Sequence, residues 1–144
     1  MKGETAQQWT EMTGAKGLAT SPGATAEQLA RWIATEYMQA CPDTYAATGS
    51  GASIGGHDAF VGVAGCGKVG RGAHVGSEAA LIVVIKGNAD IYTLQWAERG
   101  AASGKPDVEH TRWQDRLKQL APIRLCAIVP GEKAPYPSCV GKPQ

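Results

Sequence analysis

Residues 78–99 read EAALIVVIKGNADIYTLQWAER, and their reading decides the fold. The longest apolar run of the chain, Ala79 to Ile85, is interrupted by Lys86-Gly87-Asn88. It is followed by a shorter alternating run from Ile91 to Trp96. Gly-Asn adopts the positive φ of a tight hairpin turn, so the stretch predicts two antiparallel strands. With Gly87 and Asn88 as the loop, Val83 faces Tyr92, Leu81 faces Leu94 and Ala79 faces Trp96. One surface of this hairpin is strongly apolar. The other carries Ile82, Val84 and Ile91 together with Thr93 and Gln95, and is expected to be only partly covered.

Working outward, residues 1–24 are weakly patterned and rich in loop formers, with Trp9 and Met12 free to dock on the body. Thr25 followed by Gln28 is a capping-box signature. Leu29, Trp32, Ile33, Tyr37 and Ala40 then recur at helical spacing, predicting a helix over 26–40 that Cys41-Pro42 ends. Residues 43–56 are small and polar and are expected to form a loop. Ala59 to Ala64 predicts a strand, and GCGKVGRGAHVG (65–76) a glycine-rich loop. After the hairpin, 100–110 reads as surface loop. Thr111 with Gln114 repeats the capping spacing before a short helix over 112–121, and Ile123 to Val129 predicts a final strand ahead of a proline-rich tail. Connections between the central strands are too short for parallel crossovers. The expected class is α+β: one domain over 25–144, an antiparallel sheet of about four strands, and both helices on one face competing for Tyr92, Leu94 and Trp96.

Four cysteines in a 144-residue chain with 19 glycines and 8 prolines form no CxxC pair and have no ligand-spaced histidine, so a zinc site has no support. An even count in a small loop-rich chain points instead to two disulfides formed in an oxidising compartment, against four buried thiols in a reducing one. Three pairings are open. The expectation adopted is Cys41–Cys66 with Cys126–Cys139, because the second closes a short proline-rich segment. Met1-Lys2-Gly3-Glu4 is no export signal. On the oxidising reading, a signal has been removed ahead of the mature chain, and with it any lipid-anchor cysteine. Net charge is +1 with no basic cluster, which gives no case for nucleic acid. No apolar run approaches the ~20 residues that span a bilayer.

The catalytic motifs fail on inspection. Gly62 to Lys68 satisfies GxxxxGK, but Val69 stands where magnesium needs Ser or Thr, and the glycines that follow do not favour a helix. GSGASIGG (49–56) lacks dinucleotide spacing. His57-Asp58 would point opposite ways in a strand, too poor a geometry for a base and its orienter. Ala73-His74-Val75-Gly76 resembles the histidine strand of papain-like cell-wall amidases. Those enzymes place the cysteine at a helix start, whereas Cys41 ends a helix and Cys66 lies in the expected loop. Trp32, Trp96 and Trp113 read as core. The densest charge cluster is Glu98, Arg99, Arg112, Asp115 and Arg116, a solvated face or a partner-binding rim.

With ALIVVIKGNADIYTLQWAER (80–99), RLCAIVPGEKAPYPSC (124–139) and this cysteine pattern, residues 25–140 resemble small disulfide-containing periplasmic proteins and lipoproteins of Gram-negative bacteria. Some of these are immunity proteins that block toxins delivered by neighbouring cells. The resemblance implies a non-enzymatic periplasmic binding protein whose partner is another protein, with no cofactor and no metal. The expected partner-binding residues are Ser53, Ile54, His57, Lys68, Arg71, His74, Arg99 and Arg112, joining loop 49–57, loop 67–76 and the charged rim. The alternative is a small cell-wall hydrolase using Cys66 or Cys41 with a histidine.

Overall fold

A computed structural model describes residues 11–19, 23–70, 72, 75–127 and 129–140. Five strands, β1 (Glu11–Ala19), β2 (Tyr45–Ile54), β3 (His57–Val69), β4 (Gly76–Lys86) and β5 (Asp90–Gly100), form one antiparallel sheet in the order β1-β5-β4-β3-β2. Among the described residues three helices accompany it: α1 (Ala26–Ala40), α2 (His110–Leu120) and the short α3 (Pro137–Val140). The α+β class, the antiparallel sheet and both disulfides are as expected; the strand count is five rather than four.

The central hairpin forms with a shifted register. Gly87 N–H donates to the Asp90 carbonyl at 2.8 Å, leaving Asn88 and Ala89 at the tip. Val83 therefore faces Leu94, Leu81 faces Trp96 and Ile85 faces Tyr92. The shift is two residues, so every side chain keeps its expected face. Gly87 serves close approach and not a left-handed turn: a Cβ there would meet Leu125 Cδ2 at 3.0 Å and Tyr92 Cε2 at 3.2 Å.

The two faces are covered by different elements, which corrects the expectation of helices on one side. On the first face, Ala26, Ala30 and Ile33 of α1 pack on Ala64, Ala80, Ile82, Val84 and Ile91. The alanines let the helix approach the strands closely. On the second, Trp113 of α2 joins Leu81, Val83, Ile85 and Trp96, with Leu117, Ile123 and Leu125 packed around them. Burying such a cluster contributes about 1.5–3 kcal/mol per large side chain.

Helix α1 starts with the expected capping box of Thr25 and Gln28. Its first turn is also tied to the sheet, because Ala26 N–H donates to the Asp58 carboxylate at 3.1 Å. The negative charge sits favourably at the helix N-terminus. Helix α2 begins without the expected Thr111 box. Its N-cap is Glu109, which makes no side-chain cap bond. Asp107 orders this start instead, accepting from Glu109 N–H at 2.9 Å through its carboxylate and from Trp113 Nε1 at 2.8 Å through its carbonyl.

Three further expectations are corrected. The weakly patterned N-terminal segment supplies β1, an edge strand paired with β5 from Glu11↔Glu98 to Ala19↔Asp90. The small polar stretch supplies β2, joined to β3 through Gly55 and Gly56, whose φ values of +58° and +81° fit a two-residue hairpin turn. Of the expected strand 123–129, the described residues pair with no strand. Ile123 and Leu125 lie on the sheet face between Pro122 and Pro130, where no edge is within reach. The Cys41–Cys66 bond ties the end of α1 to β3, and Cys126–Cys139 closes the tail.

Candidate functional site

Helix α1 lies mainly over β3 and β4, and a groove remains between it and the β5 and β1 part of the same face. The resulting groove has a volume of about 460 Å³, within the range of ligand-binding clefts. Thr93 and Gln95 of β5 form its floor, Leu18 and Lys16 of β1 one wall, and Leu29, Trp32, Ile33 and Tyr37 of α1 the other. This is the polar half of the mixed hairpin face, with Thr93 itself only 5% exposed at the bottom of the groove. Helix α1 buries the Ile82, Val84 and Ile91 half.

Trp32 was expected in the core, yet it is 60% exposed, while Trp96 and Trp113 are buried. The buried stripe of α1 runs through Ala26, Ala30 and Ile33. Trp32, one position before Ile33, is rotated about 100° toward the groove mouth. Met12, on the same sheet face of β1 as Lys16 and Leu18, is also 39% exposed. A Cβ at Gly14, between Met12 and Lys16, would meet nothing within 4 Å, so the groove opens freely along β1.

One end of the groove is closed by a polar relay. Tyr37 O–H donates to Glu78 Oε2 at 3.0 Å, and Arg99 Nε donates to Glu78 Oε1 at 2.8 Å. Burial, together with the Glu78 carboxylate, pushes the Tyr37 phenol well above its ordinary value. The phenol therefore stays neutral and acts as a fixed donor, with no role as a base at physiological pH.

The second polar cluster lies on the other sheet face. Glu98 accepts from Arg116 Nε at 2.6 Å and from Arg112, which also pairs with Asp107 at 2.9 Å. Burial pushes the Glu98 carboxyl up, but the bonds from Arg116 and Arg112 outweigh it and hold the group below its ordinary value. The Arg116 guanidinium also lies 5.6 Å from the Trp96 ring centre. These contacts fasten α2 to β5, so Glu98, Arg112 and Arg116 of the expected charged rim also brace the fold, while Arg112 and Asp115 remain exposed.

The six sequence-predicted residues that the structure describes do not converge. Ser53, Ile54 and His57 sit at the β2–β3 turn. Lys68 lies eleven residues further along β3, roughly 35 Å away at the strand rise. Arg99 is near the Lys68 end on the α1 face, bound to Glu78, and Arg112 is on the α2 face. Arg71 and His74 lie outside the described residues. The glycine-rich stretches 49–54 and 62–69 are strands, so the GxxxxGK sequence forms no phosphate loop. Asp58 is engaged by α1 and does not orient a catalytic histidine. All four cysteines are in disulfides, so neither Cys41 nor Cys66 presents a thiol. Among the described residues no cluster of His, Cys, Asp and Glu could hold a metal ion. The groove residues Lys16, Leu18 and Trp32 were missed. Thr93 and Gln95, polar positions on an otherwise apolar hairpin face, were the signal that led there.

No protein-family model matches the chain, and no curated protein matches it. Two disulfides fit an oxidising environment. Among the described residues no helix is long and apolar enough to cross a membrane.

Proposed function

We propose that this chain is a non-enzymatic binding protein of the periplasm that captures a protein partner in the groove between α1, β5 and β1, acting as an immunity-type inhibitor of a toxin. The observation that carries the reading is Trp32, 60% exposed at the mouth of an open groove whose floor is half polar. A solvent-facing tryptophan beside a cleft has the character of an interface anchor, a few of which supply most of the binding energy. Lys16 on β1 and Glu36 on α1, both lining the groove, add charges of opposite sign that select orientation more than affinity. Two disulfides brace the frame against the conditions of an exported protein.

The test is protection. Exported into the periplasm of a susceptible strain, the chain should raise survival against a toxin-delivering competitor. Trp32→Ala should abolish that protection at unchanged protein level. Equal protection by Trp32→Ala, or no protection by the unaltered chain against any toxin-delivering competitor tested, contradicts the reading.

A further inference from the structure

The opposite edge of the sheet carries a separate surface. Gly67 N–H donates to the Thr44 carbonyl at 3.0 Å, and the antiparallel pairing runs from Tyr45↔Cys66 to Ile54↔His57. Hydrogen-bonded pairs alternate along an antiparallel ladder. The main-chain groups of Ala46, Thr48, Ser50 and Ala52 therefore face β3. Those of Tyr45, Ala47, Gly49, Gly51 and Ser53 point away from the sheet, and no described segment pairs with them.

Proteins usually guard such an edge with charge, proline or a covering element. The other edge obeys this rule, since β1 carries Glu11 and Lys16. Between Tyr45 and Ile54 there is no charged residue and no proline. Tyr45 at the start of β2 packs against the α1 cluster and Ile54 at its end against the α2 cluster, but between them a groove remains beside β2 on each face. A groove of about 270 Å³ lies between α1 and β2 above Gly49 and Gly62. A second, of about 380 Å³, lies between α2 and β2 beside Val61, Val63 and Leu117. A strand laid against β2 would send its side chains alternately into these two grooves.

We propose that β2 accepts an extended segment of a partner protein as a sixth, antiparallel or parallel strand, with bulky apolar side chains at the alternate positions that face the α2-side groove and small or polar ones at the positions between. The outward ladder of N–H and C=O groups is complementary to another strand and to little else. The groove on the α2 side, lined by Val61, Val63, Leu81, Trp113 and Leu117, disfavours charged side chains, which would lose their hydration there, whereas the groove on the α1 side is mixed, with Arg31, Thr35 and Thr48 in its lining. A second copy of the chain fits less well, because its β2 would bring only Gly, Ala, Ser and Thr over the central positions and leave both grooves empty. This surface is independent of the Trp32 groove, on the other side of α1.

The test is selection of a phage-displayed library of random twelve-residue peptides on the immobilised full chain, followed by fluorescence polarisation with the synthetic winner. Enriched peptides should alternate bulky apolar residues. N-methylation at the peptide positions facing β2 should weaken binding by about tenfold per donor removed, and N-methylation at the intervening positions should not. Ala47→Pro removes one outward donor at a place where an edge strand tolerates proline, and should weaken binding about tenfold with unchanged thermal unfolding. If that variant fails to fold, the two N-methylated series decide alone. The proposal is overturned by the absence of enriched peptides, by equal binding of both series, or by a free chain that dimerises through β2 and excludes the peptide.

Discussion

Replacing Cys41 and Cys66 together by alanine should lower the stability of the fold by about 3.5 kcal/mol through the lost chain restraint alone. The bond joins residues 25 apart, and the chain-entropy expression for a loop of about that length gives this value at 25 °C. Both sulfurs are buried, with Cys41 5% and Cys66 0% exposed, so the small void left by alanine adds on the order of 1 kcal/mol. Together these make about 4.5 kcal/mol, a large fraction of a total stability of about 5–15 kcal/mol, worth a fall of about 15 °C in Tm. Urea unfolding followed by tryptophan fluorescence and far-UV circular dichroism measures it. Because the bond restrains the unfolded chain, its loss should also steepen the denaturant dependence, as a more expanded unfolded state exposes more surface. Removing Cys126–Cys139, with a separation of 13, gives about 3 kcal/mol by the same expression. That bond braces a tail outside the sheet, so its loss should release the tail locally and move the main transition by less than about 1–2 kcal/mol. A loss below about 1 kcal/mol for the Cys41–Cys66 pair, or equal shifts of the main transition for both pairs, would refute the view that this bond clamps α1 to the sheet.

Glu98 gives a pH prediction. Its folded value lies below the ordinary 4.5, so the folded state holds fewer protons than the unfolded one in that region. The stabilisation is present above 4.5 and is lost as pH falls through the folded value. Glu98→Gln should flatten this part of the stability profile in acid unfolding titrations; an unchanged slope would remove Glu98 from the α2 bracing. The glycines of the edge hairpin separate by their surroundings. A Cβ at Gly49 would come within 2.5 Å of the Phe60 ring, whereas one at Gly51 meets nothing within 4 Å. Gly49→Ala should destabilise by about 1–3 kcal/mol through overpacking, while Gly51→Ala should be neutral or slightly stabilising. Equal effects in urea unfolding would contradict the placement of Phe60 across the strand.

Much of the core was legible because it rests on periodicity. The apolar run Ala79–Ile85 and the stripe of α1 carry both clusters, and the hairpin faces survived a register error because that error was even. What escaped has physical reasons. In β1 and β2, edge strands with mostly exposed residues, Gly, Ala, Ser and Thr give no alternating apolar signal, so their pairing partners, not their own composition, make them strands. The α2 start is set by Asp107, Trp113 and Arg112 meeting in space, which a local capping pattern does not report. Trp32 was assigned to the core because helical spacing places it beside Leu29 and Ile33; only the position of α1 over β3 and β4 turns it outward. Of the predicted binding residues, Ser53, Ile54, His57 and Lys68 come from glycine-rich stretches that read as loops; these four lie in strands, the first three at one end of the β2–β3 pair and Lys68 at the other.

The most direct measurement is site-specific photo-crosslinking in the exporting host. A photoreactive residue at position 32, at the groove mouth, is compared with one at Asp115, exposed on α2 on the opposite sheet face. The account predicts a single discrete protein adduct from position 32 that Lys16→Glu diminishes, and none from position 115. Equal adducts from both positions, or an adduct from position 115 alone, would contradict it.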